Sequence, residues 1–207
     1  MTDFTALKVA ISKGRRNDVT AIVQEAIDKH EDINAILEQG MIPAMREIGE
    51  QFSHNEVYVP ELLVAARAMQ SGLTLIEPIL VASGRKSPGK VAIGTVKGDL
   101  HDIGKNLVAI MLKGAGYQVI DLGVNCDVAK FEQGVAQGAQ VIACSSLLTT
   151  TMTYMKQVVE HFKDSGVKII IGGAPVTQAY ADEIGADGYG EDANGAVKLT
   201  DTFLKAR

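Results

Sequence analysis

Two different periods of apolar residues divide the chain. Up to about Ala82 they recur at steps of three and four, the spacing of one helix face. Asp18-Val19-Thr20-Ala21-Ile22-Val23 opens one such pattern, which continues through Ala26 and Ile27. Asp32 is placed to cap a second helix through Ile33, Ile36 and Leu37. Met41, Met45, Ile48 and Phe52 share one face of a third. Pro60, tolerated in a first helical turn, starts a fourth that runs through Ala65, Ala66, Ala68 and Met69 towards Leu73 and Ile76. Helices joined by short turns predict a small bundle over residues 1–84.

Residues 83–90 are polar and hold two glycines and a proline, which reads as a linker. After it the period changes. Short apolar runs at 91–94, 117–122, 141–144, 167–171 and 188–189 alternate with helical patterns near 103–113, 128–136, 151–163, 176–184 and the C-terminal end. That alternation predicts a parallel sheet covered on both faces. About five such units fit a doubly wound, flavodoxin-like domain over 90–207. The expected class is α/β, with an N-terminal helical bundle ahead of the sheet.

Composition narrows the function. A net charge of -5 with no stripe of Lys and Arg argues against a nucleic-acid surface. No run approaches the ~20 apolar residues of a membrane span, and residues 1–16 lack an apolar run followed by a cleavage site. A cytoplasmic protein is expected. Cys126 and Cys144 have no metal-ligand spacing, and Cys144, inside Val141-Ile142-Ala143-Cys144, reads as a small buried residue.

In doubly wound sheets ligands sit outside the carboxyl ends of the strands, where the strand order reverses. The loop after the first strand, Lys97-Gly98-Asp99-Leu100-His101-Asp102-Ile103-Gly104-Lys105-Asn106, lines that crevice. A neutral imidazole there can ligate a metal, and Asp99 can accept a hydrogen bond from its other ring nitrogen, fixing the tautomer. Gly98 and Gly104 remove bulk where a large planar ligand needs to approach. Asp-x-His-x-x-Gly alone fixes three positions and arises by chance in roughly 2% of chains this long. Its context adds weight. The third strand runs into Ser145-Ser146-Leu147-Leu148-Thr149-Thr150-Thr151 and the fourth into Gly172-Gly173, both facing the same crevice. Hydroxyls of Ser145, Thr149 and Thr151 are available to a polar ligand tail or to Asp99.

The joint pattern Asp99-x-His101-x-x-Gly104, Ser145-x-Leu147 and Gly172-Gly173 resembles the cobalamin-binding signature of corrinoid methyltransferase proteins. The flanking Ala92-Ile93-Gly94-Thr95-Val96-Lys97-Gly98 and Asp121-Leu122-Gly123-Val124 are similar to it as well. Tyr58-Val59-Pro60-Glu61-Leu62-Leu63 resembles the bundle that precedes this domain in methionine synthase and in methanogen and acetogen corrinoid proteins. The resemblance covers nearly the whole chain.

It implies a cobalamin cofactor whose lower base is detached from cobalt and lies in a slot of the flavodoxin-like domain. His101 is then the axial ligand to cobalt, Asp99 its hydrogen-bond partner, and Thr151 stands where methionine synthase has the serine of a relay. Gly98, Leu100, Asp102, Ile103 and Gly104 surround the ligand. Ser145, Leu147, Thr149, Gly172 and Gly173 line the tail slot, and Tyr58, Ala65, Ala68 and Met69 are the candidates for a helical cap. The implied role is a methyl carrier cycling between cob(I)alamin and methylcob(III)alamin. It would serve a substrate-specific methyltransferase, a second one that passes the group to a pterin or thiol, and a corrinoid-reactivating protein. Carriers of this kind draw on methanol, methylamines, methoxylated aromatics and betaines. A mutase corrinoid domain shares the histidine motif but usually accompanies a substrate barrel; a cobalamin-dependent regulator should add a basic DNA-binding segment. A flavodoxin-like signalling module is the remaining alternative.

Overall fold

The computed structural model describes residues 2–84 and 86–205; Arg85 of the expected linker and the terminal Met1, Ala206 and Arg207 lie outside them. The chain forms two compact units, Met1–Lys86 with Gly114–Gly116, and Ser87–Lys113 with Tyr117–Arg207.

The first unit is helical: α1 (Phe4–Ser12), α2 (Arg16–Asp28), α3 (Ile33–Ala35), a π-helical stretch Ile36–Met41, α4 (Ile42–Ser53) and α5 (Val59–Ala82). Its starts follow from capping chemistry. Asp3 accepts from the amides of Thr5 and Ala6, and Asp32, as expected, from that of Asn34. Glu61 reaches back to the Tyr58 amide at 3.1 Å, and Pro60 sits in the first turn of α5. The periodic positions Val19, Val23, Met41, Met45, Ile48, Ala65, Ala68 and Met69 are all buried. The pattern picks out no separate stretch for helix α1, which is short and mostly apolar and shows no clear polar face. Helix α5 runs through Ile76 and Pro78 to Ala82, where the helical period ends.

The second unit is a five-stranded, fully parallel sheet in the order β2-β1-β3-β4-β5. Its strands are β1 (Lys90–Thr95), β2 (Gln118–Asp121), β3 (Val141–Ser145), β4 (Lys168–Gly172) and β5 (Gly188–Gly190). The crossovers contain α6 (Ile103–Gly114), α7 (Val128–Ala136), α8 (Thr149–Met152) with α9 (Tyr154–Phe162), and α10 (Gln178–Ile184); α11 (Ala193–Lys205) follows β5. The central strands are continuous apolar runs because both faces are covered, as parallel sheets require. One face packs Phe131 of α7, Val158 and Phe162 of α9, and Ala181 and Ile184 of α10 on Ile142, Ile169 and Ile171. Cys144 lies in the same core, its thiol pushed up by burial. The helix expected over 151–163 is broken at Thr153 into α8 and α9, and α10 starts at Gln178 because Thr177 caps it through the Tyr180 amide. Among the described residues no helix is long and apolar enough to cross a membrane.

The order reverses between β1 and β3, so their C-terminal loops flank the switch point. The β4 end closes against them through glycine. A Cβ on Gly173, whose φ is +125°, would lie 1.9 Å from the Ser146 carbonyl oxygen, and one on Gly172 would lie 2.7 Å from that of Gly190. Gly173→Ala is therefore expected to cost about 3 kcal/mol or more from clash and backbone strain, read as a lower urea midpoint with unchanged slope.

Candidate functional site

The geometry follows from where β1 and β3 stop. After Thr95 the chain crosses over β3 through a bond from the Val96 amide to the Ser145 carbonyl (3.0 Å), then turns back as the Asp99 amide bonds the Val96 carbonyl at 3.1 Å. Gly98 takes φ +85° in that turn, a conformation for which glycine pays no Cβ penalty. The turn aims the Asp99 side chain inward and leaves Gly98, Leu100, His101, Asp102, Ile103 and Gly104 at the surface.

Asp99 is fully buried, yet its carboxylate is saturated with donors. One oxygen accepts from the His101 amide at 3.0 Å and lies 2.7 Å from His101 Nδ1. The other accepts from the Leu147 amide and Thr151 Oγ1, both at 2.8 Å, and from Ser146 Oγ at 3.0 Å. One carboxylate thus joins the β1 loop to the β3 loop across the switch point. Burial by itself raises the pKa of such a group. The backbone bonds from His101 and Leu147 and the side-chain bonds from His101 and Thr151 outweigh it and hold the carboxyl well below its usual range.

The same bonds orient His101. With Nδ1 donating to Asp99, the lone pair lies on Nε2, which makes no hydrogen bond among the described residues; half of the side chain is exposed, at 51%. Its main chain is fixed too, since the buried Thr95 hydroxyl donates to the His101 carbonyl at 2.8 Å.

The surroundings suit a large, flat, partly apolar ligand. Among the described residues, the exposed large hydrophobics of the α/β unit are Leu100, Leu147 and Leu148 on the β1 and β3 loops and Ile103 at the start of α6. An apolar patch beside an exposed ligating nitrogen marks a binding surface. Gly104 has nothing within 4 Å of where a Cβ would stand, so no contact within the chain demands a glycine there. The free imidazole edge, apolar rim and open position would suit a corrin ring, with His101 placed to hold it.

Sequence reasoning and structure agree on the central pair and differ on the hydroxyls. Thr151 reaches Asp99, and its extra methyl is accommodated beside Gly98, where a Cβ would lie 3.4 Å from Thr151 Cγ2. The second hydroxyl on the carboxylate belongs to Ser146, not to Ser145, which sits half-buried at the strand end in register with Thr95 and Gly172. The signal was available: alternate residues of a strand point to opposite faces, so Ser145 and Ser146 cannot both turn towards β1's loop. Thr149 is exposed at the start of α8, and Leu147 is exposed beside it. In the helical unit Tyr58 is 64% exposed, whereas Ala65, Ala68 and Met69 are buried. Unforeseen were Thr95, Asn125 and the buried Lys105, which donates to both oxygens of Asp121 at 2.6 and 2.7 Å.

Comparison with known proteins follows the same lines. A B12 binding domain family matches residues 89–198, and a second B12 binding domain family matches 4–77. A corrinoid protein of Desulfitobacterium hafniense strain Y51 is 38% identical over 212 residues, covering 99% of this chain and 98% of that one. The trimethylamine corrinoid protein of Methanosarcina barkeri is 45% identical over 183 residues, 85% of this chain and 84% of that one. Among solved structures, the methanol:cobalamin methyltransferase complex MtaBC from Methanosarcina barkeri contains a chain similar at TM-score 0.86 and 27% identity, over 99% of this chain and 80% of that one.

Asp99→Asn should destabilise the protein by about 1–3 kcal/mol at neutral pH, because its NH2 group must face donors. The wild-type contribution has a definite sign. A carboxyl whose folded pKa lies below its unfolded value of about 3.9 stabilises above that value and loses the contribution as pH falls through the folded pKa. The gap between variant and wild type should therefore narrow below about pH 4. Urea denaturation of both proteins at pH 7 and pH 3 measures it.

Proposed function

We propose that this chain, which belongs to the B12-binding corrinoid-protein family, carries a methyl group on the cobalt of its cobalamin between two methyltransferases, the second passing it to a pterin or thiol. The observation that carries the reading is His101, with Nδ1 held by a buried carboxylate and Nε2 free at an exposed apolar rim. The trimethylamine relative and the methanol:cobalamin methyltransferase neighbour support a small methylated compound as donor. A corrinoid-reactivating protein and a cytoplasmic location belong to the same reading. So does the division of labour, with residues 90–207 holding the cofactor and residues 1–84, through Tyr58, Ala65, Ala68 and Met69, serving as its cap.

When bound, cobalamin supplies a metal that accepts and releases the methyl group. The chain's own residues manage the ligand and its proton. Asp99 keeps the Nε2 lone pair available by binding Nδ1–H, and its negative charge strengthens the imidazole as a donor. The adjacent carboxylate is placed to balance positive charge at the ring. Five donors on Asp99 favour its ionised form, so it serves as the acceptor of the pair.

Thr151 and Ser146 adjust to this state. Their hydroxyls are 2.8 Å apart, both reach Asp99, and both lie near the Leu148 carbonyl, at 3.1 and 3.2 Å. Two hydroxyl protons thus serve three kinds of acceptor: the carboxylate, the carbonyl and one another. Each can turn towards Asp99 or away from it and still find an acceptor for its proton. Leu100, Ile103, Leu147 and Leu148 offer apolar surface that excludes water from the ligated face. Ser145, Leu147, Thr149, Gly172 and Gly173 are assigned to the nucleotide tail.

Reconstitution with hydroxocobalamin tests the assignment. His101→Ala should abolish the spectrum of imidazole-ligated cobalt and lower apo stability by about 1–3 kcal/mol, because it removes a hydrogen bond from the buried Asp99 carboxylate; an unaltered cobalt spectrum rejects the ligand role. Gly104→Ala should leave apo stability within about 1 kcal/mol of wild type, since the position is open and helical. The same variant should take up hydroxocobalamin more weakly in a spectrophotometric titration.

A further inference from the structure

We propose that the turn after β2, residues 121–126, is a brace that sets the position of the His101 loop, and that Asn125 is its positioning residue. The proposal rests on His101 being the axial ligand. It concerns residues that touch neither the imidazole nor its carboxylate oxygens.

Both ends of the loop are tied to this one turn. At the near end Asn125 Oδ1 accepts from the Gly98 amide at 2.8 Å, and the Asn125 amide donates to the Asp99 carbonyl at 3.0 Å. The two bonds clasp the residue whose side chain holds His101. At the far end the Lys105 ammonium spends all three protons, two on Asp121 and one on Asn106 Oδ1 at 2.7 Å. Asp121 is itself fixed by the Gly123 amide at 2.9 Å, and Asn106 Nδ2 donates to Asp102 at 3.1 Å. The turn is anchored to β1 in its own right, by bonds from the Cys126 amide to the Thr95 carbonyl (2.8 Å) and from the Thr95 amide to the Gly123 carbonyl (3.0 Å).

The residue type at 125 matches the task. Its φ is +52°, in the left-handed region that asparagine tolerates better than most residues, and the job needs a short side chain ending in an acceptor. Asn125 is exposed, so its polar group could have been left to water; it is turned instead onto a loop amide. Ligation is sensitive to such placement, because an error near 1 Å in a positioned group costs much of its effect.

Two variants separate the acceptor from the backbone. Asn125→Gly keeps the left-handed conformation and deletes the oxygen, whereas Asn125→Asp keeps an acceptor in place. In the apo protein, hydrogen exchange followed by NMR should show the Gly98 amide exchanging about tenfold faster in Asn125→Gly than in wild type, the effect of one lost hydrogen bond. In protein loaded with cobalamin and reduced by one electron, nitrogen coupling in the electron paramagnetic resonance spectrum reports the ratio of imidazole-bound to imidazole-free cobalt. That ratio should fall roughly threefold to tenfold in Asn125→Gly and recover in Asn125→Asp. A wild-type ratio in Asn125→Gly, or equal loss in both variants, overturns the brace and leaves the ligand assignment standing. Wild-type protein without nitrogen coupling overturns the ligand assignment, and the brace with it.

Discussion

A single buried carboxylate organises the α/β unit's functional end. Asp99 lies out of water, where an ionised group is costly unless it is hydrogen-bonded on every side. The chain meets that demand with two amides, two hydroxyls and an imidazole. Two consequences follow from one constraint. The β1 and β3 loops are locked together at the switch point, and the imidazole is left with its lone pair facing outward. The bonds that keep the carboxylate stable are the same ones that orient the imidazole.

Around that carboxylate, backbone geometry does what side chains cannot. Gly173 brings the β4 end so close to the Ser146 carbonyl that no Cβ fits, and Gly98 makes the left-handed turn that points Asp99 inward. Gly104 differs, with open space above it. Packing requires the first and backbone conformation the second, whereas neither demands the third.

The exposed apolar residues tell a consistent story. In the α/β unit Leu100, Ile103, Leu147 and Leu148 lie in water next to His101. A folded chain gains nothing by leaving these four together at the surface, and a bound macrocycle would cover them. Membership of the B12-binding family gives that cover a chemical identity.

The repeating patterns were legible without coordinates. Period-three-and-four apolar residues marked the helices, continuous apolar runs marked strands buried on both faces, and the loop after the first strand announced the histidine and its carboxylate partner. Each of these is local: it depends on spacing along the chain, and burial of one face enforces it. What the tertiary structure alone decided depends on residues far apart in sequence. Ser146 rather than Ser145 meets Asp99 because strand pleat and register set which hydroxyl turns inward. Lys105 finds Asp121, and Asn125 finds Gly98, across 16 and 27 positions, and no spacing rule ties either pair. The identity of the histidine and its carboxylate could be read from residue type and spacing alone. Their exact pose came from long-range hydrogen bonds, which any of several polar residues could have made and which only the folded sheet selects.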